Sequence, residues 1–220
     1  MKQKKTIYLT HQTRAALWVG VITPLLCIGI FTVDGATREH YDVWRQWISH
    51  LSLGERGWLG MANLAMTGIG LLAAAYGIKH AIVSGRRAKW PHRLVAAAGV
   101  GFIVASVFKQ DPGLGYPPGV AASTGSVADS IHGVAALLLF GSLIALCFVS
   151  AKRYGRRWNI YSIVSAWVTI VAFVSCSVLV ALDYSMVWAG APSGFLERIA
   201  LICVLVYVSA LTCKLLKIKP

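Results

Sequence analysis

The sequence predicts an all-α polytopic membrane protein with six transmembrane helices and a short interfacial amphipathic helix in the first outer loop. Three observations predict this fold. Hydrophobic residues make up 57% of the chain and charged residues only 13%, the apolar residues gather into six long runs, and acidic and basic residues fall into alternate loops. Because about 20 apolar residues in an α-helix cross a hydrocarbon core of ~30 Å, these runs are suited to span a membrane.

The six predicted spans form a single membrane domain over residues 1–220. The third run is the shortest and needs its flanking residues to complete a crossing. Small residues recur along the second, third and fourth runs, which allows helices to approach closely where no hydrophobic effect drives them together. The predicted spans are residues 15–33, 58–77, 94–108, 130–150, 159–182 and 195–216.

The distribution of charge predicts how the chain is oriented. All eight acidic residues fall in or beside the loops that follow spans one, three and five, whereas most of the 21 basic residues fall at the termini and in the other two loops. The positive-inside rule therefore predicts a multi-pass protein of the cell (cytoplasmic) membrane with both termini in the cytoplasm. The cytoplasmic basic residues are Lys2, Lys4, Lys5, Arg14, Lys79, Arg86, Arg87, Lys89, Arg93, Lys152, Arg153, Arg156, Arg157, Lys214, Lys217 and Lys219.

The formal net charge of +13 would suggest nucleic-acid binding in a soluble chain. In a membrane protein the same excess is explained by retention of basic loops on the cytoplasmic face and by attraction to anionic lipid head groups. The sequence therefore predicts membrane lipids as partners and excludes nucleic acid.

The first outer loop contains an apolar pattern that fits one face of a helix. Residues 43–53 are too few and too polar to cross a membrane, so we expect an amphipathic helix that lies along the outer surface. Such a helix would hold Ser49 and His50 near the lipid head groups. We also expect Arg45 or Arg56 to pair with an acid of a neighbouring loop. The residues on the apolar face are Trp44, Trp47, Ile48 and Leu51.

Polar residues at the starts of spans four and six differ in how easily they are explained. Ser126 and Asp129 have the spacing of a capping box, and Glu197 lies in a first turn, where the helix dipole favours an anion. These explanations do not cover His132 or Arg198, which lie about one turn inside their spans. Ionisable side chains at that depth are costly and usually face the protein interior or a wet cavity.

Asp111 follows span three and directly precedes a proline, which disfavours continuation of the helix. A carboxylate at the end of a helix also opposes the helix dipole, so this residue needs a partner. If Asp111 met the buried ionisable side chains of spans four and six, the cost of its position and the cost of burying those side chains would both be offset. We therefore expect Asp111, His132, Glu197 and Arg198 to meet at the outer ends of spans three, four and six.

Four stretches of the chain carry a resemblance to a known family. They are residues 41–49, 53–58, 108–119 and 194–198, and the most specific is the Asp-Pro-Gly-Leu-Gly-Tyr-Pro-Pro sequence at 111–118. Together with His132 they resemble, in the same order, the bacterial and archaeal polytopic membrane family catalogued as domain of unknown function 998. The resemblance implies a six-helix fold in a bacterial inner membrane and no particular activity. The matching motif positions are Ser49, Asp111, His132, Glu197 and Arg198.

The first functional hypothesis is an enzyme, a hydrolase or transferase for lipids or other amphiphiles, with its site in the outer leaflet. Nucleophilic catalysis by a serine needs no cofactor, whereas His50, His132 and Asp111 could instead bind zinc and activate water. Spacing does not decide between them, because the sequence holds neither H-E-x-x-H nor G-x-S-x-G. The candidate catalytic residues are Ser49, Asp111, His132 and Glu197, and the candidate binding residues are Arg198, His50 and Arg45.

The second hypothesis is a non-catalytic binding, transport or accessory protein. Buried ions persist when they are paired, and the same residues could satisfy one another in a network that locks the outer ends of the helices. No broken-helix pair or inverted repeat favours a transporter. A cavity at these residues would favour the enzyme, and a closed network would favour the scaffold.

Overall fold

The computed structural model describes residues 9–82, 88–123 and 125–217. Within them, six helices are long and apolar enough to cross a membrane, which confirms the predicted fold class. The third helix begins before the predicted run, with Pro91 in its first turn, where a proline costs no hydrogen bond. The helices are α1 His11–Thr37, α2 Gly57–Ala81, α3 Trp90–Val107, α4 Val127–Ser150, α5 Arg156–Tyr184 and α6 Ser193–Leu216.

The helices pack as a closed ring. Each helix packs on its neighbours in the chain, α6 also packs on α1, and the seam between α4 and α5 is the loosest of the six. Glycines permit the tightest approaches: a Cβ added to Gly68 would lie 2.6 Å from the Gly99 carbonyl oxygen, and one on Gly101 would lie 2.8 Å from that of Ala135. Small residues therefore bring α2, α3 and α4 together.

The alternating helix directions place all eight acidic residues at one end of the ring, which we call the acidic end. It consists of the ends of α1, α3 and α5 and the starts of α2, α4 and α6. The opposite end is the basic end. Of the residues used to predict orientation, Lys2, Lys4, Lys5, Arg86, Arg87 and Lys219 lie outside the described residues.

The predicted amphipathic helix over residues 43–53 is wrong. Only Ile48–Ser52 is helical, as a 3-10 helix, and turns precede it. Residues 41–53, which we call the inserted segment, enter the acidic end, where Gln46, Ile48, His50 and Leu51 are buried. The apolar spacing reflects contacts on several sides of an irregular chain, so the polar residues between the apolar ones are covered as well.

Orientation can be tested by labelling single cysteines in a variant that lacks the five native ones. Met186, 74% exposed at the acidic end, and Arg157, exposed at the basic end, are suitable positions. Because basic loops stay in the cytoplasm, a membrane-impermeant maleimide should label M186C in intact cells and R157C only after permeabilisation. Labelling of R157C in intact cells would contradict the predicted topology.

Candidate active site

The first turns of α6 hold the backbone of the inserted segment. One guanidinium nitrogen of Arg198 donates to the carbonyl oxygens of Gln46 and Gly194, at 2.9 Å each. The backbone N–H of Ile48 donates to Glu197 Oε2 at 2.5 Å. A side chain at Gly194 would collide with the Gln46 backbone, so only glycine permits this approach. The irregular backbone of the inserted segment thus makes hydrogen bonds with side chains of α6, which lipid could not provide.

Arg45 ties the same segment to α5. Its guanidinium donates two hydrogen bonds to the buried carboxylate of Asp183, at 2.8 and 2.6 Å. Arg56 lies 2.8 Å from the Asp34 carboxylate in a second pair. The predicted pairing of Arg45 or Arg56 with an acid of a neighbouring loop is therefore confirmed by Arg45, whereas Arg56 pairs with an acid of its own outer stretch, residues 34–57. The two-point geometry makes Arg45 a fixed structural contact rather than a mobile surface charge.

Ser49 and His132 form the central contact of the site. Ser49 Oγ lies 3.0 Å from His132 Nε2, and His132 Nδ1 lies 2.7 Å from the carbonyl oxygen of Phe108. A carbonyl oxygen can only accept, so Nδ1 carries the proton in this arrangement. Nε2 then presents its lone pair to the serine hydroxyl, which donates. This is the geometry of a nucleophile and its general base.

A cavity of about 350 Å³ begins at this pair and lies between α4 and α5. Ser49, His132 and Glu197 line its polar part, and the aromatic rings of Phe140 and Phe173 belong to its apolar part. Two lining residues, Gly133 and Leu137, are exposed on the side of the bundle. The cavity therefore opens toward the lipid-facing surface at the loosest seam. Its volume lies in the range of small-molecule sites.

Four further polar residues line the cavity that we did not predict as site residues: Trp47, Gln110, Asp129 and Ser177. The indole nitrogen of Trp47 is buried and makes no hydrogen bond within the described chain, although the Cys176 thiol, a weak acceptor, lies beside it. Asp129 lies one turn before His132 on α4, a spacing that could have identified it. The capping-box spacing with Ser126 explains an acid at this position without a site, so this spacing alone does not indicate one.

Asp111 does not take the predicted place beside His132 and Arg198. The loop after α3 folds back, and the Asp111 carboxylate accepts from the backbone N–H of Ser126 at 3.0 Å and from its hydroxyl at 2.7 Å. The Asp111 N–H donates to Asp129 at 3.1 Å. No hydrogen bond within the described residues joins Asp111 to His132 or Arg198. Its carboxylate is used to close the loop onto the start of α4.

The predicted convergence is thus met only in part. His132 and Glu197 line one cavity with Ser49, whereas Arg198 points away from it and donates to backbone carbonyls and to the hydroxyl of Tyr41. The guanidinium of Arg198 also lies over the Tyr41 ring, 5.5 Å from its centre. The Arg198 guanidinium is therefore used in contacts within the protein.

His50 is fully buried and stacks on the Trp47 ring. Its Nδ1 accepts from the Trp47 backbone N–H at 3.3 Å, and its Nε2 has no partner among the described residues. Burial, together with the nearby His132 and Arg198, lowers the pKa of His50 to about 4, so the ring is neutral near pH 7.

The residues considered for zinc do not fit a metal site. Asp111 is directed to Ser126, and both ring nitrogens of His132 are engaged with Phe108 and Ser49. In the described part of the chain, no three His, Cys, Asp or Glu side chains are grouped to hold a metal ion. The donor set of His50, His132 and Asp111 therefore gives no basis for a metal-dependent step.

The fold and the site define a class: a six-helix membrane protein with an irregular segment inserted into one end and a side-opening cavity beneath it. The chain belongs to the family described as protein of unknown function (DUF998), whose pattern matches residues 21–214. This confirms the resemblance carried by the motifs. Comparisons with curated proteins and with solved structures gave no match.

The clamp on the inserted segment can be tested by Arg198→Met. Hydrogen bonds from a charged donor contribute about 1.5–3 kcal/mol each, and this change leaves the Gln46 carbonyl short of a donor. We expect a loss of about 2–4 kcal/mol in the free energy of unfolding, measured by titration with SDS in mixed micelles. Arg156→Met, at an exposed position of the basic end, is the matched control. Equal losses for both variants would contradict the clamp.

Proposed function

We propose that this protein is a membrane-embedded acyl hydrolase that cleaves an ester bond of an amphiphile, with Ser49 as nucleophile and His132 as general base. The observation that carries the proposal is the 3.0 Å contact between Ser49 Oγ and His132 Nε2 at the polar part of a cavity. A serine hydroxyl is a weak nucleophile, and a neutral imidazole at this distance activates it. The charge distribution supports a site in the outer leaflet of the cell membrane, with both termini cytoplasmic.

In the first step, Ser49 Oγ attacks the ester carbonyl carbon and its proton passes to His132 Nε2. The tetrahedral intermediate collapses as the bond to the leaving oxygen breaks, and that oxygen takes the proton from His132 and departs as an alcohol. Water then attacks the acyl-Ser49 carbonyl and gives a proton to His132, and the carboxylic acid leaves as Ser49 regains its proton. A second alcohol in place of water would make the same cycle an acyl transfer.

Three neighbouring groups support this assignment. The Phe108 carbonyl fixes the imidazole in the orientation that a carboxylate provides in a Ser-His-Asp triad. The Asp129 carboxylate lies one turn before His132 on α4 and lines the same cavity, where it places a negative charge near the imidazolium that forms. We assign the indole N–H of Trp47 as a donor to the oxyanion, because it is a buried donor on the same cavity with only a weak acceptor, the Cys176 thiol, beside it.

Glu197 has a positioning role in this scheme. It accepts from the Ile48 N–H and so fixes the 3-10 helix that carries Ser49. Arg45 and Arg198 act in the same way through the preceding residues. The segment that carries the serine is thereby held by two side chains of α6 and by one of its own, which is the pre-organisation that catalysis requires.

Labelling with a fluorophosphonate, which reacts with activated serines, tests the proposal. We expect the wild-type protein to be labelled and Ser49→Ala to be unlabelled. His132→Asn should be labelled at least on the order of 10² times more slowly than the wild type. The asparagine amide can keep the hydrogen bond to Phe108 and has no basic nitrogen. Trp47→Phe should slow labelling on the order of 10²-fold if the indole binds the oxyanion.

Ser177→Ala is the matched control, because Ser177 lines the same cavity and donates to the Phe173 carbonyl rather than to a histidine. This variant should label like the wild type, and gel filtration should show every variant folded. Absence of labelling in the wild type, with Ser49→Ala and His132→Asn only less stable to unfolding, would overturn the hydrolase and leave the structural network as the role of the pair.

A further inference from the structure

The charged groups around the cavity are of one sign. Glu197 and Asp129 line it, and no lysine or arginine within the described residues does. The cations nearest along the chain are committed or directed elsewhere: Arg198 binds backbone carbonyls and Arg45 binds Asp183. Lys109 is exposed and does not line the cavity. An anionic head group would therefore meet two carboxylates and no counter-charge.

The aromatic residue at the polar part of the cavity adds to this preference. Trp47 lines it together with the two carboxylates. The face of an indole ring attracts cations, and attraction by nearby carboxylates adds to the effect in a site of low dielectric. An aromatic ring with acidic neighbours is a combination that recognises ammonium groups.

The apolar part of the cavity fits a hydrocarbon chain. Ala136, Leu137 and Phe140 on α4 face Phe173 on α5 across the loose seam. A Cβ added at Gly133 would meet nothing within 4 Å, so packing between helices does not explain the glycine at the mouth. A chain can lie in this space and continue into the surrounding lipid.

We propose that the cavity binds a single-chain amphiphile whose head group carries a positively charged ammonium, with the head beside Glu197, Asp129 and Trp47 and the chain in the α4–α5 seam. This assignment rests on the proposed function, because it names the class of substrate for the Ser49–His132 pair. Arg198, a candidate binding residue in the sequence, does not line this cavity.

The test measures binding without using the reactivity of Ser49. A cysteine is placed at the cavity mouth by G133C, in a variant without native cysteines in neutral lipid nanodiscs, and its alkylation by a maleimide is timed. Dodecyltrimethylammonium should protect this cysteine at about ten-fold lower concentration than dodecyl sulfate, a ratio that corresponds to about 1.4 kcal/mol. G141C is the matched control, since position 141 lies on the same helix, has open space and does not line the cavity. Its alkylation corrects for partition of each amphiphile into the lipid.

Substitutions of single carboxylates then test which residues cause the preference for the ammonium amphiphile. Glu197→Gln and Asp129→Asn should each reduce the difference between the two amphiphiles, whereas Glu55→Gln, which removes an exposed carboxylate at the same end, should leave it unchanged. Equal protection by both amphiphiles, stronger protection by dodecyl sulfate, or an equal effect of Glu55→Gln would overturn the proposal. Protection as expected with no fluorophosphonate labelling of wild-type protein would uphold the binding site and remove only the hydrolase.

Discussion

The structure depends on how an irregular backbone is satisfied inside a bundle of membrane helices. Peptide groups without partners cost several kcal/mol in a hydrocarbon environment, so a loop can enter a membrane domain only where protein groups meet its N–H and C=O groups. Here Arg198 binds the Gln46 carbonyl and Glu197 binds the Ile48 N–H, two consecutive side chains of one helix turn. These two contacts fix the backbone at Gln46 and Ile48, and so orient the side chain of Ser49, which follows Ile48. The contact with His132 follows from this constraint.

Other buried charges at the acidic end extend the same principle to the neighbouring loops. Asp34, almost fully buried, pairs with both Arg38 and Arg56. Arg38 also donates to the Leu53 carbonyl and to the Tyr116 hydroxyl, and so links the end of the inserted segment to the loop between α3 and α4. Asp34 and Arg38 pair at the end of α1, and Arg56 joins them from the start of α2. The acidic end is therefore a connected layer rather than a set of independent turns.

The sequence predicted the parts of this structure that depend on composition over long stretches. Six apolar runs gave six helices because length and hydropathy decide whether a segment can span a membrane. Local spacing was less informative in residues 43–53, because Trp44, Trp47 and Leu51 repeat like a helix face while each contacts a different part of the bundle. Asp111 and Asp129 show a second limit. Both have polar surroundings in the sequence, and only the folding back of the loop decides that Asp129 lines the cavity while Asp111 closes the loop.

The contrast between a scaffold and an enzyme rests on packing around the Ser49–His132 pair. A purely structural network is most stable when it is filled on every side, because voids forfeit contacts between atoms. Close contacts through Gly68, Gly70 and Gly99 follow this rule between α1, α2 and α3. On the α4–α5 side the seam is loose, the indole N–H of Trp47 has only the weakly accepting Cys176 thiol beside it, and Gly133 borders open space. These features are costly in a scaffold and useful in a binding site. Their coincidence with the one serine hydroxyl that, in the described chain, donates to a histidine is what makes catalysis the stronger interpretation.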